Sequence, residues 1–288
     1  VNIETVNLVA TSGTPNLDAS AMSGVKTVNV SGTVASTVDN VSSAATINLA
    51  GYTRVLTIDD TNYDGTTANG NADVLNLSVS GATHGSTTAT QSGVTLVSDN
   101  ASVVETLNIA STGTAANAFT LDASTNVTLS TVNVTGATDA TIRVANADIS
   151  GLTFNATAAT GNVSLVIDRA GVTTTATNAN LFSGVDDLVL IDSTTPAVGG
   201  DGGSVSGLTV GQKITFADDF NASVLAFSSA TGTTDTATIV LDNETAATDT
   251  DVAQINIQNI ETLVITSNGF ATSTSTTAQN LIDDLVGD

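Results

Sequence analysis

The sequence predicts an all-β fold: a parallel, β-solenoid-like stack of short strands with a second, smaller β unit. Three observations carry this. The first is composition. Of 288 residues, 41% are hydrophobic and only 3% aromatic. The apolar residues are therefore mainly Val, Ile, Leu and Ala, and Thr accompanies them throughout. β-branched side chains are stiff at χ1 and fit a pleated surface. Lys and Arg together number 5, so straight-chain helix formers are scarce. A mean hydropathy of +0.25 separates the chain from disordered acidic tracts. The second observation is a recurring phrase, and the third is its spacing.

The phrase is Thr, aliphatic, Asn, aliphatic. It occurs at Thr5-Val6-Asn7-Leu8, Thr27-Val28-Asn29-Val30, Thr46-Ile47-Asn48-Leu49, Thr106-Leu107-Asn108-Ile109 and Thr131-Val132-Asn133-Val134. Val74-Leu75-Asn76-Leu77 and Gln254-Ile255-Asn256-Ile257 are variants, and Thr262-Leu263-Val264-Ile265 replaces Asn by Val. In a strand the two aliphatics share one face and Asn takes the other. Asn is depleted in strands, so its return at one position predicts Asn side chains stacked from rung to rung, as in a solenoid. Gaps of roughly 20–30 residues fit one coil each. The longer gaps leave room for loops or a further strand, for which Val94-Thr95-Leu96-Val97 is a candidate.

A longer duplication underlies the phrase. Glu4-Thr5-Val6-Asn7-Leu8 matches Glu105-Thr106-Leu107-Asn108-Ile109, and Leu17-Asp18-Ala19-Ser20 matches Leu121-Asp122-Ala123-Ser124. Thr27-Val28-Asn29-Val30-Ser31-Gly32 then matches Thr131-Val132-Asn133-Val134-Thr135-Gly136. The blocks span about 4–32 and 105–136, and Ile260-Glu261-Thr262-Leu263 opens a third copy. The chain starts at Val1 inside a repeat, without start Met or signal peptide. The expectation is a part of a longer repetitive polypeptide.

The repetitive region is expected over 1–192, closing on the apolar strand Leu188–Ile191. The Gly/Pro-rich run 193–207 reads as a linker. Residues 208–288 read as the second β unit, with strands at Lys213–Phe216, Ser223–Phe227 and Ala237–Leu241, and one short helix over Gln279–Leu285. A β-sandwich of antiparallel sheets shows similar alternation and is the alternative architecture.

Charge and composition exclude several functions. The formal charge is −23, with five cations on the whole chain. That cannot make a phosphate-binding patch, so no nucleic-acid partner is expected. Without Cys there are no disulfides, thiolate metal sites or cysteine nucleophiles. No apolar run approaches the ~18 residues of a membrane span, so no membrane insertion is expected. A Ser-His-Asp triad would have to use His84, the one histidine, which reads as a loop residue. The aromatic platforms of sugar-cleaving clefts are scarce, and Arg54, Arg143, Arg169, Lys26 and Lys213 each stand alone. The chain is expected not to be an enzyme, and no catalytic residue is assigned.

The acidic residues are 24 Asp and four Glu. Asp serves tight turns and is a preferred Ca²⁺ ligand in loops. The sharpest local signal is Asp59-Asp60-Thr61-Asn62-Tyr63-Asp64-Gly65, which from Asp60 matches the first half of a calcium loop. Asn71 stands where the bidentate Glu would fall, and Asp73 is the substitute. The expected metal ligands are therefore Asp60, Asn62, Asp64 and Asp73, and the expected cofactor is Ca²⁺. Weaker candidates are Asp186-Asp187, Asp218-Asp219, Asp249-Thr250-Asp251 and the Gly199–Ser204 run.

The Thr- and Ala-rich texture, the scarcity of Lys and the phrases Ile3-Glu4-Thr5-Val6-Asn7-Leu8, Val104-Glu105-Thr106-Leu107-Asn108-Ile109 and Ile260-Glu261-Thr262-Leu263 resemble RTX-related, type I-secreted bacterial surface-layer proteins. Similar texture occurs in repetitive adhesins and matrix proteins. The chain departs from the family in lacking tandem glycine-aspartate nonapeptides. The resemblance implies Ca²⁺-dependent folding and self-assembly into a layer outside the bacterial cell. The corresponding expectation is a secreted, cell-surface structural protein that forms homo-oligomers. The alternative is a calcium-stabilised adhesin module that binds glycans, such as a cell-surface glycan, or other cells.

Overall fold

The computed structural model describes residues 3–41, 45–59, 74–82, 93–97, 104–123, 129–145, 152–168, 182–191, 204–217, 223–227, 234–242, 251–257, 260–268 and 280–287. Among them the regular structure is strand throughout, and neighbouring strands pair in parallel. No helix there is long and apolar enough to cross a membrane. The chain divides into two compact units, Val1–Ala147 with Leu152–Val163, and Asp148–Gly151 with Ser164–Asp288.

The first unit holds β1 (Thr5–Ala10), β2 (Asn16–Asp18), β3 (Thr27–Gly32), β4 (Ser36–Asp39), β5 (Thr46–Ala50), β6 (Leu56–Asp59), β7 (Val74–Ser80), β8 (Gly93–Val97), β9 (Thr106–Thr112), β10 (Asn117–Ala123), β11 (Thr131–Gly136), β12 (Ala140–Ala145) and β13 (Thr153–Ala159). Odd strands follow one another in one sheet and even strands in another. Each coil therefore gives one strand to each sheet, which is the parallel β-solenoid arrangement. The recurring phrase marks only the odd strands. An even strand fills every gap, and Val94–Val97 falls in β8.

Burial alternates as the phrase requires. Val28 and Val30, Ile47 and Leu49, Leu75 and Leu77, Leu107 and Ile109, and Val132 and Val134 are all buried. Val38, Ile58, Leu96, Leu121 and Ile142 are buried from the even sheet. Thr and Asn take the other face of the odd sheet. Asn29 Nδ2 donates to Asn7 Oδ1 at 2.8 Å and Asn48 Nδ2 to Asn29 Oδ1 at 2.8 Å. Asn108 donates likewise to Asn76 at 3.0 Å and Asn133 to Asn108 at 2.9 Å. The rung spacings are 22, 19, 32 and 25 residues. The expected Asn ladder is thus present in two runs. Between them β5 and β7 are offset so that Asn48 faces Ser78 and Asn76 faces Thr46. A shift of two residues keeps every side chain on its own face. The aliphatic column continues as Ile47 against Leu77 and Leu49 against Val79, and only the amide contact is lost.

At the start of β10 a buried polar side chain ties neighbouring coils together. Asn117 accepts the Ala82 N–H at 3.1 Å, and its amide donates to Ser111 Oγ at 2.8 Å and Thr112 O at 3.0 Å. A buried amide is tolerated when its hydrogen bonds are made.

The second unit holds β14 (Val163–Asp168), β15 (Phe182–Ser183), β16 (Asp187–Ile191), β17 (Ser204–Leu208), β18 (Lys213–Phe216), β19 (Ser223–Phe227), β20 (Thr236–Asp242), β21 (Asp251–Ile257), β22 (Thr262–Asn268) and β23 (Leu281–Gly287). β14, β16, β18, β20 and β22 follow one another in one sheet, and β17, β19, β21 and β23 in another. Leu188, Ile214, Phe216 and Ile239 form the core, while Val166, Ile191 and Ala217 cluster with Val189 elsewhere. Val166 alternates with the core residues Leu165 and Ile167, so both faces of this parallel sheet are covered.

The final segment is a strand, β23, not a helix: Leu281 pairs with Asp251 and Leu285 with Ile255. Of the Gly/Pro run 193–207, residues 193–203 lie outside the described residues, and Ser204 begins β17. Parallel pairing also excludes the antiparallel sandwich for the described strands.

Candidate functional site

The expected ligands Asp60, Asn62, Asp64 and Asp73 lie outside the described residues, as do His84, Arg169, Asp218, Asp219 and Asp249. The strand that leads into the Asp60 loop is described. β6 ends at Asp59, in register with Asp39 of β4, which is in register with Asp18 of β2. Three carboxylates therefore form a column at the ends of successive even strands, about 4.8 Å apart by strand spacing.

Each carboxylate sits there for a local reason. The aliphatic before it (Leu17, Val38 or Ile58) occupies the inner face, so alternation turns Asp outward. Two amides cross between neighbouring coils. Asn16 Nδ2 donates to Asp39 Oδ2 at 2.6 Å, and Asn40 Nδ2 donates to Asp18 Oδ1 at 3.0 Å. Asn40 reaches back from a left-handed backbone, φ 55°, which Asn adopts more readily than most residues. The Ser20 N–H also donates to Asp18 Oδ1, at 2.9 Å. That backbone bond, with contributions from the Ser20 hydroxyl and Asn40, holds the Asp18 carboxyl below its ordinary range.

Asp39 Oδ1 is buried and, among the described residues, accepts no hydrogen bond. A buried carboxylate oxygen without a donor is costly, and a hard cation would relieve it. The donor set is all oxygen, as Ca²⁺ prefers. Yet the column is a line, not a converging cage, and among the described residues no group of three or more acidic or His side chains could hold a metal ion. Asp39 thus suits an edge ligand better than the centre of a site. The Asp60 motif reaches only the Asp59-Asp60 end of this column; Asp18 and Asp39 neighbour it only through the coil.

The other described candidates have different employment. Asp187 is bound by Lys213 Nζ at 2.6 Å and accepts the Thr215 hydroxyl at 2.9 Å, so its carboxylate is neutralised within the sheet. Arg143 is buried on β12.

Asp122 is the duplicate of Asp18, but its surroundings reverse the effect. Desolvation raises its carboxyl above the ordinary value. A raised carboxyl binds its proton more tightly in the folded state, so folding stability falls as pH rises through the window above the ordinary carboxylate value. Asp122→Asn is expected to raise the melting temperature at pH 7 and to leave it unchanged near pH 3. For Asp18, whose folded value is depressed, stability is present at neutral pH and is lost as pH falls through that depressed value. Asp18→Asn is expected to lower the melting temperature throughout the range above the ordinary carboxylate value, and progressively less as pH falls below it. Thermal melts from pH 3 to 7 check both; parallel shifts at all pH values would sink the assignment.

No protein-family model, no curated protein and no solved structure matches the chain.

Proposed function

We propose that this chain is an extracellular structural protein of the bacterial cell surface that assembles with copies of itself, with Ca²⁺ bound by its acidic loops. The reading is of the RTX-related surface-layer kind. The observation that carries it is repetition. β1, β3 and β5, then β7, β9 and β11, present the same phrase at the same lateral position, with Asn amides bonded across coils. Such a surface offers many equivalent contacts in place of one converging pocket, and self-association uses contacts of that kind. The carboxylate column, with its orphaned Asp39 oxygen, supports the calcium part. So does the net charge of −23, since self-repulsion is relieved when cations bind.

The test is particle size and thermal stability with millimolar Ca²⁺ and with a chelator, followed by electron microscopy. Calcium is expected to raise the melting temperature and to yield ordered assemblies, and Asp60→Asn with Asp64→Asn is expected to remove the shift. A protein that stays monomeric at high concentration with Ca²⁺, and binds glycans as a monomer, would be an adhesin module instead.

A further inference from the structure

We propose that the outer face of the β1-β3-β5-β7-β9-β11-β13 sheet is the surface on which a second copy of this chain docks. The proposal rests on the self-assembly reading above and names the contact.

The molecule carries −23, so two copies repel wherever carboxylates meet. Yet the seven odd strands contain no Asp, Glu, Lys, Arg or His. The even sheet places Asp18, Asp39, Asp59 and Asp122 on its strands. Acid is segregated onto one sheet, and the other is neutral from β1 to β13. Among the described residues, the charges nearest the neutral face lie at the strand starts: Glu4, Lys26 and Glu105. Of these, Lys26 and Glu4 pair with each other at 3.1 Å. A charge-free centre with charges at its rim is how interfaces are arranged.

Size and hydrogen bonding agree. Seven strands at ~4.8 Å, each showing about five residues at ~3.3 Å, make roughly 500 Å² of projected face. Two such faces in contact reach the range of a small specific interface, on the order of 1,000 Å² in total. The Asn amides are already bonded to one another, so covering them leaves those bonds intact. Thr27 stands in register with Thr46, and Thr106 with Thr131, and their hydroxyls can donate or accept across the contact. Val9, on the same face, is 61% exposed. A neutral glycan fits less well. The one aromatic residue of these strands, Phe154, is buried on the inner face, so no ring is offered for stacking.

The test replaces Thr106 and Thr131 together by Lys. Those changes reduce the net negative charge, so general repulsion between copies would weaken. On the proposal they bring ammonium groups to a neutral contact, and the concentration at which assemblies appear is expected to rise at least tenfold. Thr37→Lys with Thr57→Lys, on the even sheet, is the control and is expected to leave assembly unchanged or to favour it. Circular dichroism checks that each variant folds. As a second readout, a spin label on Thr131→Cys, in a chain without native Cys, is expected to show intermolecular broadening on assembly; a label on Thr57→Cys is not. If the unaltered chain assembles and the Thr106/Thr131 variant assembles equally, or the Thr131 label shows no broadening, the face is wrong and the self-assembly reading stands. If the unaltered chain never assembles, that reading falls and takes the face with it. If the variant loses binding to an insoluble neutral polysaccharide while its assembly is unchanged, the occupant is a glycan and the proposal is overturned.

Discussion

Gly136→Ala is expected to destabilise the first unit by about 3 kcal/mol or more, the cost of a side chain in a backbone conformation that excludes it. Gly136 ends β11 at φ 110°, and a Cβ there would lie 2.0 Å from the Ser111 carbonyl oxygen of the previous coil. That neighbour is backbone, so no rotamer change relieves the clash. The same Gly carbonyl accepts the Thr160 N–H at 2.8 Å and the Gly161 N–H at 3.3 Å from the next coil, which fixes its position from both sides. The duplicated block repeats the arrangement. Gly32 ends β3 at φ 130°, with a Cβ position 2.0 Å from the Ala10 carbonyl, so Gly32→Ala is expected to behave alike. Gly51 separates conformation from contact: its φ is 60° and no atom lies within 4 Å of the Cβ position. Gly51→Ala is expected to cost only ~1 kcal/mol, the left-handed penalty alone. Urea unfolding of the three variants measures the difference. Equal losses at Gly51 and Gly136 would mean that the coil-to-coil approach is not what requires glycine at strand ends.

The conserved spelling of the two duplicated blocks was readable because both do the same mechanical work. The Glu4 carbonyl accepts the N–H groups of Lys26 and Thr27, and the Glu105 carbonyl those of Ser130 and Thr131. The odd sheet was legible for the same reason: an Asn that must meet another Asn cannot drift. The even sheet was only partly legible. Its strands pack aliphatics inward but share no outward residue along the whole sheet. Asn16–Asp18 and Ala140–Ala145, for example, have no phrase in common. The β5/β7 offset was hidden too, because a two-residue slip changes neither face. In Leu281-Ile282-Asp283-Asp284-Leu285-Val286, the apolar spacing suits a helix as well as a strand. Pairing with β21 decides for the strand, a case of tertiary context overriding local pattern.

The candidate site divides in the same way. The Asp60 loop is a local motif and can be read from seven consecutive residues. The Asp18-Asp39-Asp59 column is not local, since register alone creates it. A trace was nevertheless present. Leu17-Asp18, Val38-Asp39 and Ile58-Asp59 are each an aliphatic followed by Asp, separated by about one coil length. Coil spacing applied to Asp as well as to Asn would have found the column.

Asn108→Ala is expected to destabilise the chain by about 1–3 kcal/mol, because it removes two amide hydrogen bonds worth roughly 0.5–1.5 kcal/mol each. Asn108 donates to Asn76 and accepts from Asn133, so truncation strands both neighbours. Asn48→Ala removes one such bond, to Asn29, and is expected to cost about half as much. Asn155 carries the same phrase position in β13, but its Oδ1 is turned to the Thr157 N–H at 3.1 Å and hydroxyl at 2.7 Å. The register irregularity after Asn133 accompanies that change. Double-mutant cycles isolate the ladder from strand propensity, which cancels within a cycle. The Asn108/Asn133 pair is expected to show a coupling of about 1 kcal/mol. The Asn48/Asn76 pair, neighbours in the order of phrases but divided by the β5/β7 offset, is expected to show a coupling near zero. A chain in which both pairs couple equally would hold one continuous ladder and no offset. One in which neither couples would be stabilised by its aliphatic column alone, with Asn retained on the outer face for what it presents to a partner.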